Sequence, residues 1–526
     1  MLTHADLPDN IAALKAMVLE REMALVAKEM VVGELREQVS TDAQEIAHLK
    51  LLIAKFKRMQ FGRKSEKLDH DILQLELRLE ELLADEGVPQ IGKPSVPVNR
   101  PSGKRTPLPP HLPRDVQFHL PADAQACFRC GAAMKRLGED VAEQLEYVPA
   151  RFKVIRHIRP KYACSCCDHI AQAAAPTRPI ARGLVGPSLL AHILVAKYCD
   201  HLPLYRQSVM YAREGLTLER ATMAEWVGAA SSLLAPLVGA IGQHVMAASK
   251  LHADDTPVPV LSPGRGKTKT GRLWVYVRDD RPAAGTAAPA VWFAYTENRK
   301  GEHPQRHLAR YCGILQADAY GGYQALYDTG RVVEAACWAH ARRKFYELHQ
   351  ARPSVITAEA LRRIAQLYAI ESKIRGRPPD ERRGIRQAEA RPLLDALQTW
   401  LCRTMEALSR KSDTTAAILY ALNRWKALVR YCDDGIIEID NSAAERALRG
   451  VALGRKNYLF AGADSGGERA AAIYSLVETA KLNGLDPERY LRQVLDCIAD
   501  HPINRIEELL PWNMTLTLTP TLQEAA

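Results

Sequence analysis

The sequence predicts a multidomain α+β protein centred on an α/β core, and three observations predict it. A largely apolar run over residues 251–260 carries Asp254 and Asp255, and a second over 313–318 ends on Asp318 before Gly321–Gly322. Both read as strands closed by turns. Ahead of them, apolar residues from Ile11 to Phe56 recur at steps of three and four, the period of a coiled coil. Between these regions, Cys127–Phe128–Arg129–Cys130 and Cys164–Ser165–Cys166–Cys167 repeat a Cys-x-x-Cys spacing used by four-coordinate zinc sites.

At 526 residues the chain exceeds a single domain. A hydrophobic share of 47% is enough for real cores, and a formal net charge of +10 favours a polyanionic partner, nucleic acid first. Asp6 and Asp9 stand where a signal peptide would need an apolar run, so none is expected. The most apolar stretch, 229–248, is interrupted by Ser231, Ser232, Gln243 and His244, and reads as a buried helix rather than a membrane span. Five of the eleven cysteines fall between Cys127 and Cys167, and the scattered remainder suit small buried hydrophobes. Together these features point to a reducing cytoplasm.

Taken in order, residues 1–85 form the coiled-coil region, with Arg21, Lys28 and Asp42 breaking the seam. Polar seam residues cost stability but fix register, and the pattern favours self-association over one amphipathic helix docked on its own protein. The basic segment Lys57–Arg58–Met59–Gln60–Phe61–Gly62–Arg63–Lys64–Ser65–Glu66–Lys67 is either a phosphate contact or a solvated turn, and a second helix spans about 68–84. Residues 86–113 are a proline-rich, extended linker.

Residues 114–178 then read as a four-cysteine zinc ribbon closed by Cys127, Cys130, Cys164 and Cys167, with Zn2+ structural rather than catalytic. Cys166 is the spare, and His157 and His169 are lower-ranked ligands. The segment between the two knuckles is long, so it holds additional strands, one of them over 146–154. Residues 179–250 are helical, with Pro187 near a helix start and a break over 200–203; they suit either a DNA-reading helix pair or a packing scaffold.

The core occupies 251–463. Strands are expected over 251–260, 272–278, 291–296, 313–318 and 332–338, with a short helix over 302–311 before the fourth strand. Three strands, a helix and further strands, with acids on strands one and four, fit a ribonuclease H-like core. The span from Asp318 to the next candidate acid, Glu445, exceeds what that core needs, and its stretches 358–374, 388–408 and 414–431 are helical. An all-helical insertion is therefore expected over about 350–435. The C-terminal region, 464–526, is helical again, with one run over 470–499.

Two strand carboxylates and one helical carboxylate are what a two-metal phosphoryl-transfer site requires, because hard divalent cations take oxygen ligands. Adjacent residues on a strand face opposite ways, so only one of Asp254 and Asp255 serves a given site. Each acid also has a structural reading. Asp318 suits a strand-end turn, Ser442 and Glu445 fit a capping box, and Glu445 and Arg449 are spaced as a helix-surface ion pair.

With these residues in view, the chain resembles the insertion sequence 66 family of bacterial DDE transposases over nearly its whole length. The resemblance rests on the zipper ending in Phe61–Gly62–Arg63–Lys64–Ser65–Glu66–Lys67, the four-cysteine module, and His252–Ala253–Asp254–Asp255–Thr256–Pro257. It continues through Asp318–Ala319–Tyr320–Gly321–Gly322–Tyr323, Cys337–Trp338–Ala339–His340–Ala341–Arg342–Arg343–Lys344–Phe345, and the segments 440–449 and 454–460. The family pattern is Asp-Glu-Thr at the first acid, where this chain has Asp254–Asp255–Thr256, so Asp255 replaces the family's glutamate. The resemblance implies that Asp254, Asp318 and Glu445 hold two Mg2+ (or Mn2+) ions. It further implies cleavage at transposon ends and transfer of the 3′-OH into target DNA, at the nucleoid, by a homo-oligomer. Double-stranded DNA is the implied partner, with small accessory proteins of the same element. Arg449, Arg455, Lys456, Arg343 and His340 are candidates to neutralise phosphates; ordinary surface charge or structural hydrogen bonding is the alternative for each. Two other classes compete. A metal-dependent nuclease with the same core would cut without joining, and a catalytically silent DNA-binding regulator would do neither.

Overall fold

The computed structural model describes residues 112–515 together with Leu108 and Pro110, apart from 121–131, 133, 149–150, 168, 182, 263–266, 456 and 459. The coiled coil, nearly all of the linker, Cys127, Cys130 and Lys456 lie outside the described residues. Among the described residues, fourteen helices and two mixed sheets give an α+β protein.

The first sheet comprises β1 (Arg114–Phe118), β2 (Met134–Val148), β3 (Arg151–Cys164) and β4 (Ile170–Gln172). β3 pairs with β1, β2 and β4. The strand expected over 146–154 is divided between two: 146–148 end β2 and 151–154 begin β3, with Val148 paired to Arg151. Leu145, Phe152 and Val154 bury the inner face of this sheet in the main core.

Three helices follow: α1 (Pro187–Tyr198), α2 (Leu204–Arg213) and α3 (Arg220–Met246). Pro187 stands in the first turn of α1, where its missing N–H costs nothing. The buried Glu146 carboxylate accepts from Leu189 N at 2.8 Å, so β2 supplies the anion that a helix start favours. α1 buries most of its length against β2, α3 and later helices, which makes it a packing element rather than an exposed reading helix. Among the described residues α3 is the one helix long and apolar enough to cross a membrane. In this fold it is a core helix, packed on the strand Ala290–Thr296 and the helix Asp464–Leu482.

The second sheet holds β5 (Lys250–Val260), β6 (Lys269–Arg278), β7 (Ala290–Thr296), β8 (Gly313–Ala317) and β9 (Val332–Ala335), in the order β7-β6-β5-β8-β9. β6 runs antiparallel to both β5 and β7, whereas β8 runs parallel to β5 and β9 parallel to β8. Short helices α4 (Glu302–His307) and α5 (Gln324–Tyr327) flank β8. The fifth strand, expected to reach Trp338, stops at Ala335. Trp338 opens α6 (Trp338–Ala351), its N–H donating to Ile439 O at 3.1 Å and its indole to Leu428 O at 2.9 Å.

Helices α7 (Val355–Ile374), α8 (Pro379–Ile385), α9 (Arg391–Glu406), α10 (Asp413–Leu422) and α11 (Trp425–Val429) follow, with a π-helical turn, Arg386–Ala390, joining α8 to α9. Ile364, Leu367, Leu394, Leu397, Leu401 and Ile418 give this helical region a core separate from that of the sheets. The chain then returns through α12 (Ser442–Gly454), α13 (Asp464–Leu482) and α14 (Pro487–Cys497). The single run expected over 470–499 is two helices, divided at Gly484, whose φ of +74° suits glycine. α13 covers the edge strand β7. Thr479 Oγ1 accepts from Val291 N at 3.1 Å and Ser475 Oγ from Phe293 N at 2.8 Å, meeting donors that an open sheet edge would leave to solvent.

Candidate active site at the ends of the parallel strands

The parallel register of β5 and β8 pairs Lys250 with Ile314 and continues to Ala253 with Ala317. One residue further along each strand stand Asp254 and Asp318. Side-by-side residues on neighbouring strands share a face, so the register brings these two carboxylates together at the carboxyl end of the parallel pair. Ligands of α/β sheets gather at such ends. Asp318 also closes the strand: its Oδ1 accepts from Tyr320 N at 3.1 Å, so the turn role and the site role coexist.

Asp255 points the other way and finds cations. Its carboxylate is 2% exposed, accepts from Arg272 Nη1 at 2.9 Å and from Arg299 Nη2 at 2.7 Å. The Arg299 guanidinium lies 4.3 Å from the Tyr320 ring centroid and reaches within 3.7 Å of Asp318 Oδ2. Asp255, Arg299 and Tyr320 therefore brace the turn that carries Asp318.

Glu445 arrives on α12, which packs Ala444, Ala447, Leu448 and Val451 at helical spacing while the helix lies on β5 and β6. The capping box expected from Ser442 is absent: Ser442 is the first helical residue, the cap position is Asn441, and Ser442 N donates to Asp440 Oδ1 at 3.0 Å. Glu445 turns to His340 on α6, with 3.8 Å between Oε1 and Nδ1. Asn441 locks this helix start to the sheet. Its Nδ2 donates to Ala253 O at 2.8 Å, its Oδ1 meets His252 Nδ1 at 3.0 Å, and its N–H donates to Cys337 Sγ at 3.2 Å. Because Asn441 Nδ2 is committed to Ala253, its Oδ1 accepts, and His252 donates from Nδ1. Burial holds the His252 imidazole down to about 3, so it is neutral. Asn441 is fully buried, and its side chain fixes the residue just before Asp254.

Electrostatics set Asp254 apart from its neighbour. Burial pushes its carboxyl up to about 7, the nearby Asp318, Asp255 and Glu445 carboxylates add to the rise, and a hydrogen bond from Asp255 N at 2.8 Å opposes it. Glu445 Oε1 is shielded from solvent and has no hydrogen-bond partner. A low-dielectric group of carboxylates with an unmet oxygen and one half-exposed arginine at its rim is a donor set that a hard divalent cation fits.

The remaining candidates divide. Arg343 is exposed and lines a groove with Arg342, Tyr346, Tyr368 and Asp440. Arg449 is exposed on α12. Arg455 takes the structural alternative, donating from Nη1 to Pro257 O at 2.9 Å and tying the end of α12 to β5. Cys164 is buried at the end of β3, where its Sγ accepts from Cys166 N at 3.4 Å, and Cys167 is exposed. Sequence reading did not single out Asn441, Arg272, Arg299 or Cys337. The motif wording around Asn441 and Cys337 was the available signal; nothing local marked the two arginines.

Four family descriptions match the chain. "Transposase IS66 family" covers residues 182–469, "zinc-finger binding domain of transposase IS66" 124–168, "IS66 C-terminal element" 475–512, and "Transposase C of IS166 homeodomain" 48–116. The match over 124–168 supports a structural zinc ion in that module. Among relatives, "Uncharacterized protein y4hP" of Sinorhizobium fredii is 41% identical over 504 residues, covering 91% of each chain. "Uncharacterized protein y4qI" of the same organism is 38% identical over 541 residues, covering 98% of each. With a family match spanning more than half of its length, the chain belongs to the IS66 transposase family.

Proposed function

We propose that this protein is a DNA transposase that cleaves the ends of its element and joins the resulting 3′-OH to target DNA, using a ribonuclease H-like core. The observation that carries the proposal is the gathering of Asp254, Asp318 and Glu445 at the ends of β5 and β8 while the adjacent Asp255 is neutralised by arginines. Asp254, Asp318 and Glu445 would hold two Mg2+ ions, which lower the pKa of an attacking water or hydroxyl and offset charge on the attacking and leaving oxygens.

The chain's own residues set the stage for both steps. Asn441 and the Asp255–Arg299–Tyr320 brace hold the three acids against rigid elements, so the carboxylates meet the scissile phosphate preorganised. Arg299 is half-exposed at the rim and sits where a phosphate oxygen would find a cation. Exposed Arg449 and Arg343, with Lys456, supply sequence-independent phosphate contacts, which makes binding salt-sensitive. Water cleaves the strand and leaves a 3′-OH; that hydroxyl then attacks a target phosphorus, and the target's own 3′ oxygen leaves. No protein nucleophile is needed. Cys127, Cys130, Cys164 and Cys167 would hold Zn2+ in the N-terminal module, and the 1–85 zipper would pair copies of the chain. End recognition falls to these regions, with accessory proteins of the element.

The test is cleavage and joining on labelled DNA bearing the element's terminal repeats, with Mg2+. The wild type joins strands; Asp254→Ala, Asp318→Ala and Glu445→Ala do not. Cleavage without joining, even of precleaved ends, identifies a nuclease instead, and end binding without either reaction identifies a regulator.

A further inference from the structure

Beside the three acids, Cys337, His340 and Glu445 form a second group of potential ligands, whose Sγ, ring nitrogen and carboxylate oxygen lie within 4.8 Å of one another. We propose that these three side chains bind a thiophilic divalent cation of the Zn2+ class, at a position that shares only Glu445 with the hard-cation site. The binding claim rests on these ligands alone; its consequence for catalysis rests on the role proposed above for Glu445.

The ligands come from two helix starts that the backbone pins together. Cys337 precedes α6, His340 lies in its first turn, and Glu445 lies in the first turn of α12. Trp338 N donates to Ile439 O at 3.1 Å and Asn441 N to Cys337 Sγ at 3.2 Å, so neither start shifts independently of the other. Between them, His340 Nδ1 and Glu445 Oε1 are both shielded from solvent and both lack a hydrogen-bond partner, 3.8 Å apart. Such a pair lacks what a cation provides.

The donor chemistry selects the ion. Sulfur and imidazole favour Zn2+-like cations, whereas Mg2+ takes oxygen. Backbone N–H groups aimed at Sγ stabilise the sulfur of a metal-bound thiolate and fix its direction. Around a tetrahedral ion with bonds of about 2.0–2.3 Å, ligand atoms stand about 3.3–3.8 Å apart. The carboxylate and imidazole already meet that spacing, and the thiol sulfur lies within 4.8 Å of both. Three protein ligands leave a fourth position for water. An ion so placed occupies a Glu445 oxygen, so Zn2+ added over Mg2+ suppresses strand joining.

Cys337 also serves as the cap of α6, and a serine keeps an oxygen acceptor there while removing the soft ligand. The experiment therefore compares the full chain, its zinc module loaded, with Cys337→Ser and His340→Gln in a Co2+ titration. The wild type develops a thiolate-to-cobalt charge-transfer band in the near ultraviolet, which cobalt on the three carboxylates alone cannot give. Cys337→Ser loses the band, and His340→Gln keeps it at an affinity about tenfold or more weaker. No thiolate-to-cobalt band in the wild type, or a band unchanged in Cys337→Ser, overturns the site. In the joining assay, Zn2+ inhibits the wild type and spares Cys337→Ser; equal inhibition of both overturns the regulatory consequence. A wild type that never joins strands contradicts the transposase reading instead, and leaves the cobalt spectra to decide the site.

Discussion

Two charged clusters, one buried and one half-buried, lie within the same part of the chain and are treated in opposite ways. In the helical region, Arg386 is fully buried and grips Glu371 with both hydrogen bonds at 2.7 Å, while Arg382, equally buried, donates to Glu438 Oε1 at 2.8 Å and Gly435 O at 2.7 Å. Two arginines meet two glutamates, and the Gly435 and Tyr431 carbonyls accept one further hydrogen bond from each arginine. Seven residues beyond Glu438, Glu445 joins Asp254 and Asp318, and there the protein supplies no buried cation among the described residues, only Arg299 at the rim. The contrast separates a charge cluster that stabilises the fold from one left for something outside it. Charges that serve structure are neutralised within the chain; the three acids wait for a cation.

The largest effect expected is on the unpaired cluster. Asp254→Asn, Asp318→Asn or Glu445→Gln each lowers strand joining by on the order of 10³-fold, about 4 kcal/mol of barrier, with little change in thermal stability. Next comes the paired cluster. Arg386→Met leaves Glu371 with only Arg382, 3.5 Å away, and costs about 3 kcal/mol in a denaturant melt, whereas Arg386→Met combined with Glu371→Leu recovers most of that loss. If the single and double variants are equally unstable, the cluster is not the self-contained unit described here.

A third treatment of buried polarity is to keep the group uncharged. Burial holds His307 down to about 4, and its Nδ1 stands 3.0 Å from the Tyr276 hydroxyl. The folded value lies below the unfolded one of about 6.5, so the unfolded chain takes up the proton first. The contribution to stability is complete above pH 6.5 and is lost as pH falls from 6.5 towards 4, about 3 kcal/mol in all. The stability difference between wild type and His307→Gln shrinks over that window. The smallest effect is expected at Asp255→Asn, which loosens Arg272 and Arg299 but leaves the three acids, and lowers joining about tenfold.

Much of the core was readable because local signals sufficed. A largely apolar run placed 251–260, alternation placed 291–296, Pro187 marked a helix start, and apolar periodicity found α7 and α9. Strand parity left Asp254 and Asp255 as alternatives, and the resemblance, not the pattern, favoured Asp254. The arginines that occupy Asp255 come from β6 and from beyond β7, which no local pattern pairs with it. Asn441 is similar: its partners Ala253 and His252 lie 188 and 189 residues away, and its role exists only once α12 lies on β5. Ser442 misled because the capping-box pattern ignores a buried asparagine one residue earlier that takes the cap position for tertiary contacts.

The most direct test is the effect of Mg2+ on thermal unfolding at constant ionic strength, comparing wild type, Asp254→Asn and Asp255→Asn. Millimolar Mg2+ is expected to raise the melting temperature of the wild type and of Asp255→Asn by similar amounts, and to leave Asp254→Asn unmoved. A shift that survives in Asp254→Asn and vanishes in Asp255→Asn would place the cation on the wrong face of β5 and contradict the account.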